Sequence, residues 1–182
     1  MKAPIVTNRP RVLIVDDDST NRDILGTLLA AQGFAIFTAI DGEQGLAVAR
    51  EQKPDLILLD VMMPKMDGIE VCRRLKSDPA LPFMPVIMVT ARADSKDIVV
   101  GLEVGADEYL TKPVDPDALV ARVKSMLRIK TLHDTVQGQA AQLAEWNLML
   151  ERRVHLFLFV RVTPEWAEDR AHYLALGLDF PE

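Results

Sequence analysis

The sequence predicts an α/β protein in which helices cover both faces of a parallel sheet. Between Arg11 and Lys124, short β-branched segments alternate five times with amphipathic segments, as expected for five β-α units. The first, third and fourth of the short segments are runs of apolar residues, so we expect them to form the middle of the sheet, buried on both sides. The five strands are predicted at residues 12–15, 34–38, 55–59, 86–89 and 108–110.

Capping residues and prolines set the limits of the first three helices. The first is predicted to begin near Ser19 or Thr20, whose hydroxyl groups suit an N-cap, and to end at Gly33. The second covers residues 42–51 and the third covers residues 68–77, and a proline soon follows each. The buried faces are predicted to contain Ile24, Leu25, Leu28 and Leu29 in the first helix and Ile69, Val71, Cys72 and Leu75 in the third.

A last, much longer helix is predicted to begin near Asp115, with no stop signal before Pro164. Along it, positions spaced alternately three and four residues apart form one seam, as in a coiled coil. We expect this seam to pair with a second copy of the chain, because so long an apolar stripe would remain exposed on a monomer. The alternative is a helix that folds back on its own domain. The predicted dimer arm consists of Ile129, Leu132, Val136, Leu143, Trp146 and Leu150, and Gln139 and Arg153 occupy the remaining seam positions.

Three parts are therefore predicted along the chain. A compact domain covers residues 1–125, an extended helix covers residues 126–154, and a short tail covers residues 155–182. In the tail, residues 156–162 are predicted to form a strand, and a short helix is expected to follow as far as Gly177. Six of the ten aromatic residues lie beyond residue 140, so the tail needs a surface against which to bury them.

Composition and charge exclude several classes of protein. The chain is 49% apolar, which excludes a disordered polymer. Its single cysteine, Cys72, excludes a disulfide framework, a Cys-rich zinc site and a redox pair, and favours a reducing, cytoplasmic location. No apolar run approaches the roughly 18 residues of a membrane span, and residues 1–11 lack the features of a secretory signal. The net charge of −6 makes a nucleic acid an unexpected partner.

Four of the predicted strands lead into charged or hydroxyl residues. Asp16 and Asp17 follow the first strand, Asp60 the third, Thr90 the fourth and Lys112 the fifth. Because the carboxyl ends of parallel strands meet at one edge of a sheet, we expect these groups to lie close together. A hard divalent cation would relieve the repulsion between the carboxylates, and Mg²⁺ prefers such ligands together with water and phosphate oxygens. The edge is therefore predicted to bind Mg²⁺ and a phosphoryl group.

Over residues 10–125 the sequence resembles the receiver domains of response regulators. The resemblance depends on four motifs in order, with 43 residues from Asp17 to Asp60, 30 more to Thr90 and 22 more to Lys112. It implies a flavodoxin-like sheet with strand order 2-1-3-4-5. The motifs are Val-Leu-Ile-Val-Asp16-Asp17-Asp18, Asp60-Val-Met-Met-Pro64-Lys-Met-Asp-Gly68, Val-Ile-Met-Val-Thr90-Ala91 and Gly105-Ala-Asp-Glu-Tyr109-Leu-Thr-Lys112-Pro113.

The resemblance also implies a function and a role for each motif residue. The chain would be a phosphoacceptor of a two-component phosphorelay, served by a histidine kinase or phosphotransfer protein and catalysing only its own phosphorylation and dephosphorylation. On modification, the chain would switch its conformation or its dimer contacts. The implied roles are phosphoacceptor for Asp60, Mg²⁺ ligands for Asp16, Asp17, Asp60 and the Met62 carbonyl, phosphoryl contacts for Thr90 and Lys112, a switch formed by Thr90 and Tyr109, and a cis bond before Pro113.

Two other functions fit parts of the same pattern. The segment from Asp16 to Thr20 also resembles the nucleophile motif of haloacid-dehalogenase-type phosphatases, with Thr90 and Lys112 as further motif residues. That alternative gives no role to Asp60 and lacks a clear acidic motif after Lys112. The long helix is similar to connectors in signalling proteins, so the chain could also be the receiver piece of a longer regulator with cyclase or kinase output.

Two positions near the predicted site concern the lifetime of the phosphorylated state. Met62 is apolar, and family members that lose phosphate rapidly often carry a polar residue there or at the position of Arg92, able to orient the attacking water. We therefore predict slow autodephosphorylation.

Overall fold

The computed structural model describes residues 9–91, 99 and 101–162, with side chains described as far as Glu151. Five strands form one parallel sheet in the order β2-β1-β3-β4-β5, which confirms the predicted fold and strand order. The strands are Arg11–Val15 (β1), Ala35–Ala39 (β2), Leu56–Asp60 (β3), Val86–Thr90 (β4) and Glu108–Thr111 (β5). The helices are Ser19–Ala31 (α1), Gly42–Gln52 (α2), Gly68–Ser77 (α3) and a C-terminal helix, Pro116–Val162.

The three apolar strands β1, β3 and β4 lie in the middle of the sheet, as predicted. Successive residues of a strand point to opposite faces, so each strand supplies two separate cores. On one face Leu13, Ile57 and Met88 pack into a cluster with residues of α2 and α3. On the other face Ile14 and Leu58 pack with residues of α1 and the C-terminal helix. Helices therefore cover both faces, and the strand ends are left to carry polar groups.

α1 begins at Ser19, as predicted, but its capping residue differs from the prediction. Its N-cap is Asp18, whose Oδ1 accepts a hydrogen bond of 2.7 Å from the Thr20 amide, so the expected cap at Ser19 or Thr20 is wrong. Asp18 lies directly before the two hydroxyl residues, so its carboxylate, rather than a hydroxyl group, accepts from a free backbone amide of the first helical turn. Ile24 was also expected in the core but is 61% exposed, because Leu25 and Leu29 form the buried stripe of α1.

The C-terminal helix contacts the sheet domain over more of its length than the predicted boundary at residue 125. Asp115 Oδ1 accepts a hydrogen bond from the Ala118 amide at the helix start. Further along, the buried Lys130 donates hydrogen bonds to the Phe83 carbonyl at 3.0 Å and to Asp134 at 2.8 Å. The His133 ring stacks on the Phe83 ring with centroids 4.3 Å apart. These contacts belong to a compact unit that ends at Asp134.

A second unit begins at Thr135. The C-terminal helix continues through it to Val162, so the strand predicted at residues 156–162 is wrong. The apolar and β-branched residues there favour a strand only weakly, and no glycine or proline between residues 139 and 162 interrupts the helix that reaches them. The rest of the predicted tail, residues 163–182, lies outside the described residues. Within the described ranges, no helix is both long and apolar enough to cross a membrane.

Candidate functional site

Four of the predicted site residues meet at the carboxyl edge of the sheet. Asp16 follows β1, Asp60 and Thr90 are the last residues of β3 and β4, and Lys112 follows β5. The Lys112 ammonium donates to Asp16 Oδ2 at 2.9 Å and to Asp60 Oδ2 at 2.6 Å, across 96 and 52 residues of sequence. Asp16, Asp60 and Thr90 are all buried. The order β1-β3-β4-β5 places the four strand ends side by side, which is why distant residues converge.

Asp17 completes an acidic cluster with Asp16 and Asp60. Each of the three carboxylates offers an oxygen within 4.8 Å of the other two. Asp16 and Asp60 are buried, whereas Asp17 is exposed, so the cluster is reached from solvent on one side. This donor set fits Mg²⁺, which prefers carboxylate oxygens and keeps several of its waters. The Lys112 ammonium forms ion pairs with Asp16 and Asp60 and so offsets part of their negative charge.

Two residues that the sequence analysis missed hold Asp16 in place. The Asn21 side-chain amide lies 3.3 Å from both carboxylate oxygens of Asp16, and the Asp18 backbone amide donates to Oδ1 at 2.9 Å. Arg22 donates to the Asp16 backbone carbonyl at 2.7 Å. Asn21 and Arg22 lie five and six residues beyond Asp16, at the start of α1. This short separation in sequence is the signal from which their contacts with Asp16 could have been predicted.

Asp60 is fixed by the loop that follows β3. The Met62 amide donates to Asp60 Oδ1 at 3.1 Å, and the Gly68 amide donates to the Val61 carbonyl at 3.0 Å. Gly68 approaches so closely that a Cβ at this position would stand 2.2 Å from the Asp60 carbonyl oxygen. The loop therefore requires glycine for steric reasons, a requirement that the motif alone did not explain. The Met62 side chain is 51% exposed.

The pKa values of the two central titratable groups, Asp60 and Lys112, are both raised. Burial raises the pKa of Asp60, and hydrogen bonds from Lys112 and the Met62 amide offset this only in part. Burial alone would lower the pKa of Lys112, but its hydrogen bonds to Asp60 and Asp16 outweigh that effect and the net pKa is raised. Lys112 therefore stays protonated, and the pocket keeps a fixed cation beside a carboxylate that is partly removed from water.

The remaining predicted residues lie around this pocket. Tyr109 is half-buried on β5 opposite Met88, and a Cβ at Gly101 would lie 3.3 Å from its ring. The peptide bond between Lys112 and Pro113 is cis, as expected. The backbone amide of Lys112 donates to the Thr90 carbonyl at 2.7 Å and so joins the ends of β4 and β5. Arg92 lies outside the described residues.

Three polar or reactive residues near the motifs have structural roles. Asp18 and Asp67 are the N-caps of α1 and α3, where Asp67 Oδ1 accepts from the Glu70 amide at 2.8 Å. Cys72 is fully buried, and burial raises the pKa of its thiol to about 11. The prediction that Cys72 is a core residue is confirmed.

The sequence model of the family described as "Response regulator receiver domain" matches residues 12–124. Among curated proteins, the DNA-binding response regulator MtrA of Mycobacterium tuberculosis is 48% identical over 122 residues, which are 67% of this chain and 52% of that protein. The response regulator PleD of Caulobacter vibrioides is 46% identical over 131 residues, which are 72% of this chain and 29% of PleD. The chain thus aligns with about half or less of the length of the curated relatives it matches.

Solved structures show the same similarity. A CheY-like response regulator receiver domain from Methanospirillum hungatei superposes with a TM-score of 0.64 at 33% identity, covering 69% of this chain and 98% of that one. The BeF3-activated N-terminal receiver domain of Klebsiella pneumoniae RstA gives a TM-score of 0.61 at 29% identity, covering 65% of this chain and 98% of the other. The similarity covers nearly the whole of each of these receiver domains.

Proposed function

This chain belongs to the response regulator receiver domain family, and we propose that it accepts a phosphoryl group on Asp60 from a histidine kinase or phosphotransfer protein. One observation carries the proposal. Asp60 is a buried carboxylate at a strand end, with two further carboxylates within 4.8 Å and the Lys112 ammonium 2.6 Å from its Oδ2. Such a constellation binds a metal ion and a tetrahedral anion beside a nucleophile.

In the proposed reaction, a carboxylate oxygen of Asp60 attacks the phosphorus of a phosphohistidine. A P–O bond forms, the P–N bond breaks, and the electron pair returns to the imidazole nitrogen of the donor. Hydrogen bonds from Lys112 and the Met62 amide hold the carboxylate in one orientation. Positioning and charge neutralisation supply most of the catalysis in such a transfer, so little further machinery is required of the chain.

The residues that would hold Mg²⁺ are Asp16, Asp17 and Asp60, with the Met62 backbone carbonyl as a further oxygen ligand. When bound, the ion would neutralise charge on the phosphoryl oxygens. Asn21 and the Asp18 amide orient Asp16, and the exposed Asp17 leaves one side of the cluster open to water. Lys112 is already in contact with two of the three carboxylates, so it would share the pocket with the ion.

The phosphoryl group would act as a switch through the ends of β4 and β5. It adds negative charge and strong hydrogen-bond acceptors beside Asp60. Thr90, buried at the end of β4, would donate a hydrogen bond from its hydroxyl group to a phosphoryl oxygen, and Lys112 would pair with the acyl phosphate. Tyr109 is a half-buried residue of β5, three positions before Lys112 in the sequence, and it would move inward with Thr90.

We also propose that the chain forms a homodimer through the C-terminal helix. Six apolar side chains of the predicted arm are 45–61% exposed, from Ile129 to Leu150. An exposed apolar stripe of this length marks an interaction surface. Sedimentation of the full chain across a range of concentrations tests this directly, because a helix-mediated dimer dissociates on dilution and a monomer does not change.

Phosphorylation is tested with acetyl phosphate, Mg²⁺ and intact-mass measurement. The wild-type chain is expected to gain one phosphoryl group, and removal of Mg²⁺ with a chelator is expected to prevent the gain. Asp60→Asn should abolish it, whereas Asp67→Asn should not, since asparagine also caps a helix well. A modified Asp60→Asn chain would contradict the proposal, and a phosphoryl group mapped to Asp16 would favour the phosphatase alternative.

A receiver piece of a longer regulator is the second candidate. It is favoured by one finding, that the curated relatives extend well beyond the part that matches this chain. An immunoblot of the native host with an antibody to the receiver distinguishes a self-contained regulator from a piece of a longer protein. A band near 20.3 kDa supports the self-contained regulator, and a substantially larger one supports the longer protein.

A further inference from the structure

Between Val136 and Leu150, the C-terminal helix carries a regular seven-residue repeat. Val136, Leu143 and Leu150 are seven residues apart, and Gln139 and Trp146 stand between them at the second seam position of each repeat. All five are exposed along the described helix. A repeat of this period keeps one stripe facing a partner helix of the same kind, so a second copy of this helix is the occupant that the pattern fits.

We propose that the homodimer is a parallel, in-register coiled coil and that Gln139 is the residue that sets its orientation and register. The inference rests on the proposed homodimer and goes beyond it by naming the geometry and the residue responsible. Gln139 is the only polar residue among the five seam positions between Val136 and Leu150.

Orientation follows from what Gln139 would meet in each arrangement. In a parallel pair, equivalent positions pack together, so the two Gln139 amides lie side by side and can donate to and accept from each other. In an antiparallel pair, Gln139 would instead pack against Val136, Leu143 or Leu150, all of which are aliphatic. Both amides of the dimer would then be buried without a partner, which is costly compared with a paired amide.

Register follows from the same residue. A parallel slip of one repeat would place Gln139 opposite the second copy's Trp146, again leaving its amide without a full set of partners. Only the unslipped pairing matches Gln139 with Gln139. The aliphatic positions do not discriminate between these registers, because every slip of seven residues still pairs one aliphatic side chain with another.

Between residues 135 and 150, charge does not compete with Gln139 for this role. In coiled coils, charged residues flanking the seam normally select the orientation. Here the flanking positions are Thr135, Ala140, Gln142, Asn147 and Met149, none of which is charged. Glu145 is the single charged residue between residues 135 and 150 and lies away from the seam in the repeat. The lack of flanking charge also disfavours a strongly charged partner protein.

The geometry has a consequence for signalling. The receiver domain, matched over residues 12–124, precedes the seam in the chain, so a parallel pair joins both receiver domains to the same end of the coiled coil. A change in contacts between the two receivers would then act on one end of one shared structure.

Cysteine cross-linking of the full chain tests orientation. Val136→Cys is expected to form a disulfide with itself under mild oxidation, because a parallel in-register pair brings the two positions together. A mixture of Val136→Cys and Trp146→Cys chains is expected to give 136–136 and 146–146 disulfides and little 136–146 disulfide, which is the cross-link of an antiparallel pair in which Gln139 faces Leu143. The native Cys72 is buried and its thiol is protonated at neutral pH, so it does not compete.

The role of Gln139 is tested by adding Gln139→Leu to both cysteine chains. The ratio of parallel to antiparallel disulfides should fall by roughly tenfold or more, the effect expected when an unpaired buried amide no longer penalises the antiparallel pair. Gln137→Leu is the matched control, since it makes the same change one position off the seam, and it should leave the ratio unaltered.

Three results would overturn the inference, and they are distinguishable. A chain that sediments as a monomer at all concentrations removes the homodimer and this geometry with it. A dimer whose main cross-link joins residues 136 and 146 keeps the homodimer and refutes the parallel orientation. A parallel dimer whose disulfide ratio does not respond to Gln139→Leu refutes the role of Gln139.

Discussion

Gly68→Ala is expected to destabilise the receiver and to disturb Asp60 at the same time. The new Cβ would stand 2.2 Å from the Asp60 carbonyl oxygen and 2.9 Å from the Val61 Cα. Both are backbone atoms of the end of β3 and the residue after it, so no side-chain rotation can relieve the contact. Ordinary van der Waals separation requires the loop to move by roughly 1 Å, which would also strain the hydrogen bond from the Gly68 amide to the Val61 carbonyl.

Overpacking of well-packed sites costs about 1–3 kcal/mol, and backbone that cannot yield places this site at the upper end. We therefore expect Gly68→Ala to lower the free energy of unfolding by about 3 kcal/mol in urea denaturation followed by circular dichroism. Phosphorylation by acetyl phosphate should also slow, since the displaced atoms belong to Asp60 itself.

Gly138→Ala is the matched control for this prediction. A Cβ at Gly138 would meet nothing within 4 Å, and the residue lies inside a helix. The same substitution should therefore stabilise the helix by about 1 kcal/mol through propensity alone. A Gly68→Ala chain as stable as the wild type, with unchanged phosphorylation, would refute the steric reasoning at β3.

Three further outcomes follow from the described contacts. Cys72 should react with iodoacetamide at pH 8 far more slowly in the folded chain than in the unfolded chain. The reason is that a thiol pKa of about 11 leaves only about one thiol in a thousand ionised at this pH. Rapid labelling of the folded chain would contradict this. Lys130→Met removes the hydrogen bond to the Phe83 carbonyl and should lower the free energy of unfolding by about 1.5 kcal/mol. Lys124→Met, at an exposed position, should lower it by less than about 0.5 kcal/mol. Equal effects would show that the Lys130 contact does not stabilise the helix. Met62→Asn should shorten the lifetime of the acyl phosphate by giving the attacking water a polar partner, and a wild-type decay that is already fast and unaltered by the substitution would exclude slow autodephosphorylation.

The sheet and its order could be predicted because apolar segments buried on both sides leave a strong sequence pattern. The apolar runs at β1, β3 and β4 gave the middle strands correctly, with limits within one residue. The errors occurred where local preference competes with context. Residues 156–162 favour a strand by composition, yet they continue a helix that began forty residues earlier.

The candidate site was predictable to a similar degree. Asp16, Asp60, Thr90 and Lys112 were expected at one edge because they follow strands, and the structure brings them there. Supporting contacts were not predictable, since Asn21 reaches Asp16 only through the turn geometry at the start of α1. The contacts of Lys130 and His133 with Phe83 likewise join residues about fifty positions apart with no shared periodicity.

We propose that Asp60 is the phosphoacceptor, beside Lys112 and two carboxylates that would bind Mg²⁺ with it. A crystal structure of the full chain with Mg²⁺ and beryllofluoride tests it most directly, because this complex takes the place of a phosphoryl group on its acceptor. We expect the beryllium bonded to a carboxylate oxygen of Asp60, with fluorine atoms in contact with the Lys112 ammonium and the Thr90 hydroxyl. Beryllofluoride bound to Asp16, or absent from this edge of the sheet at saturating concentration, would contradict the account.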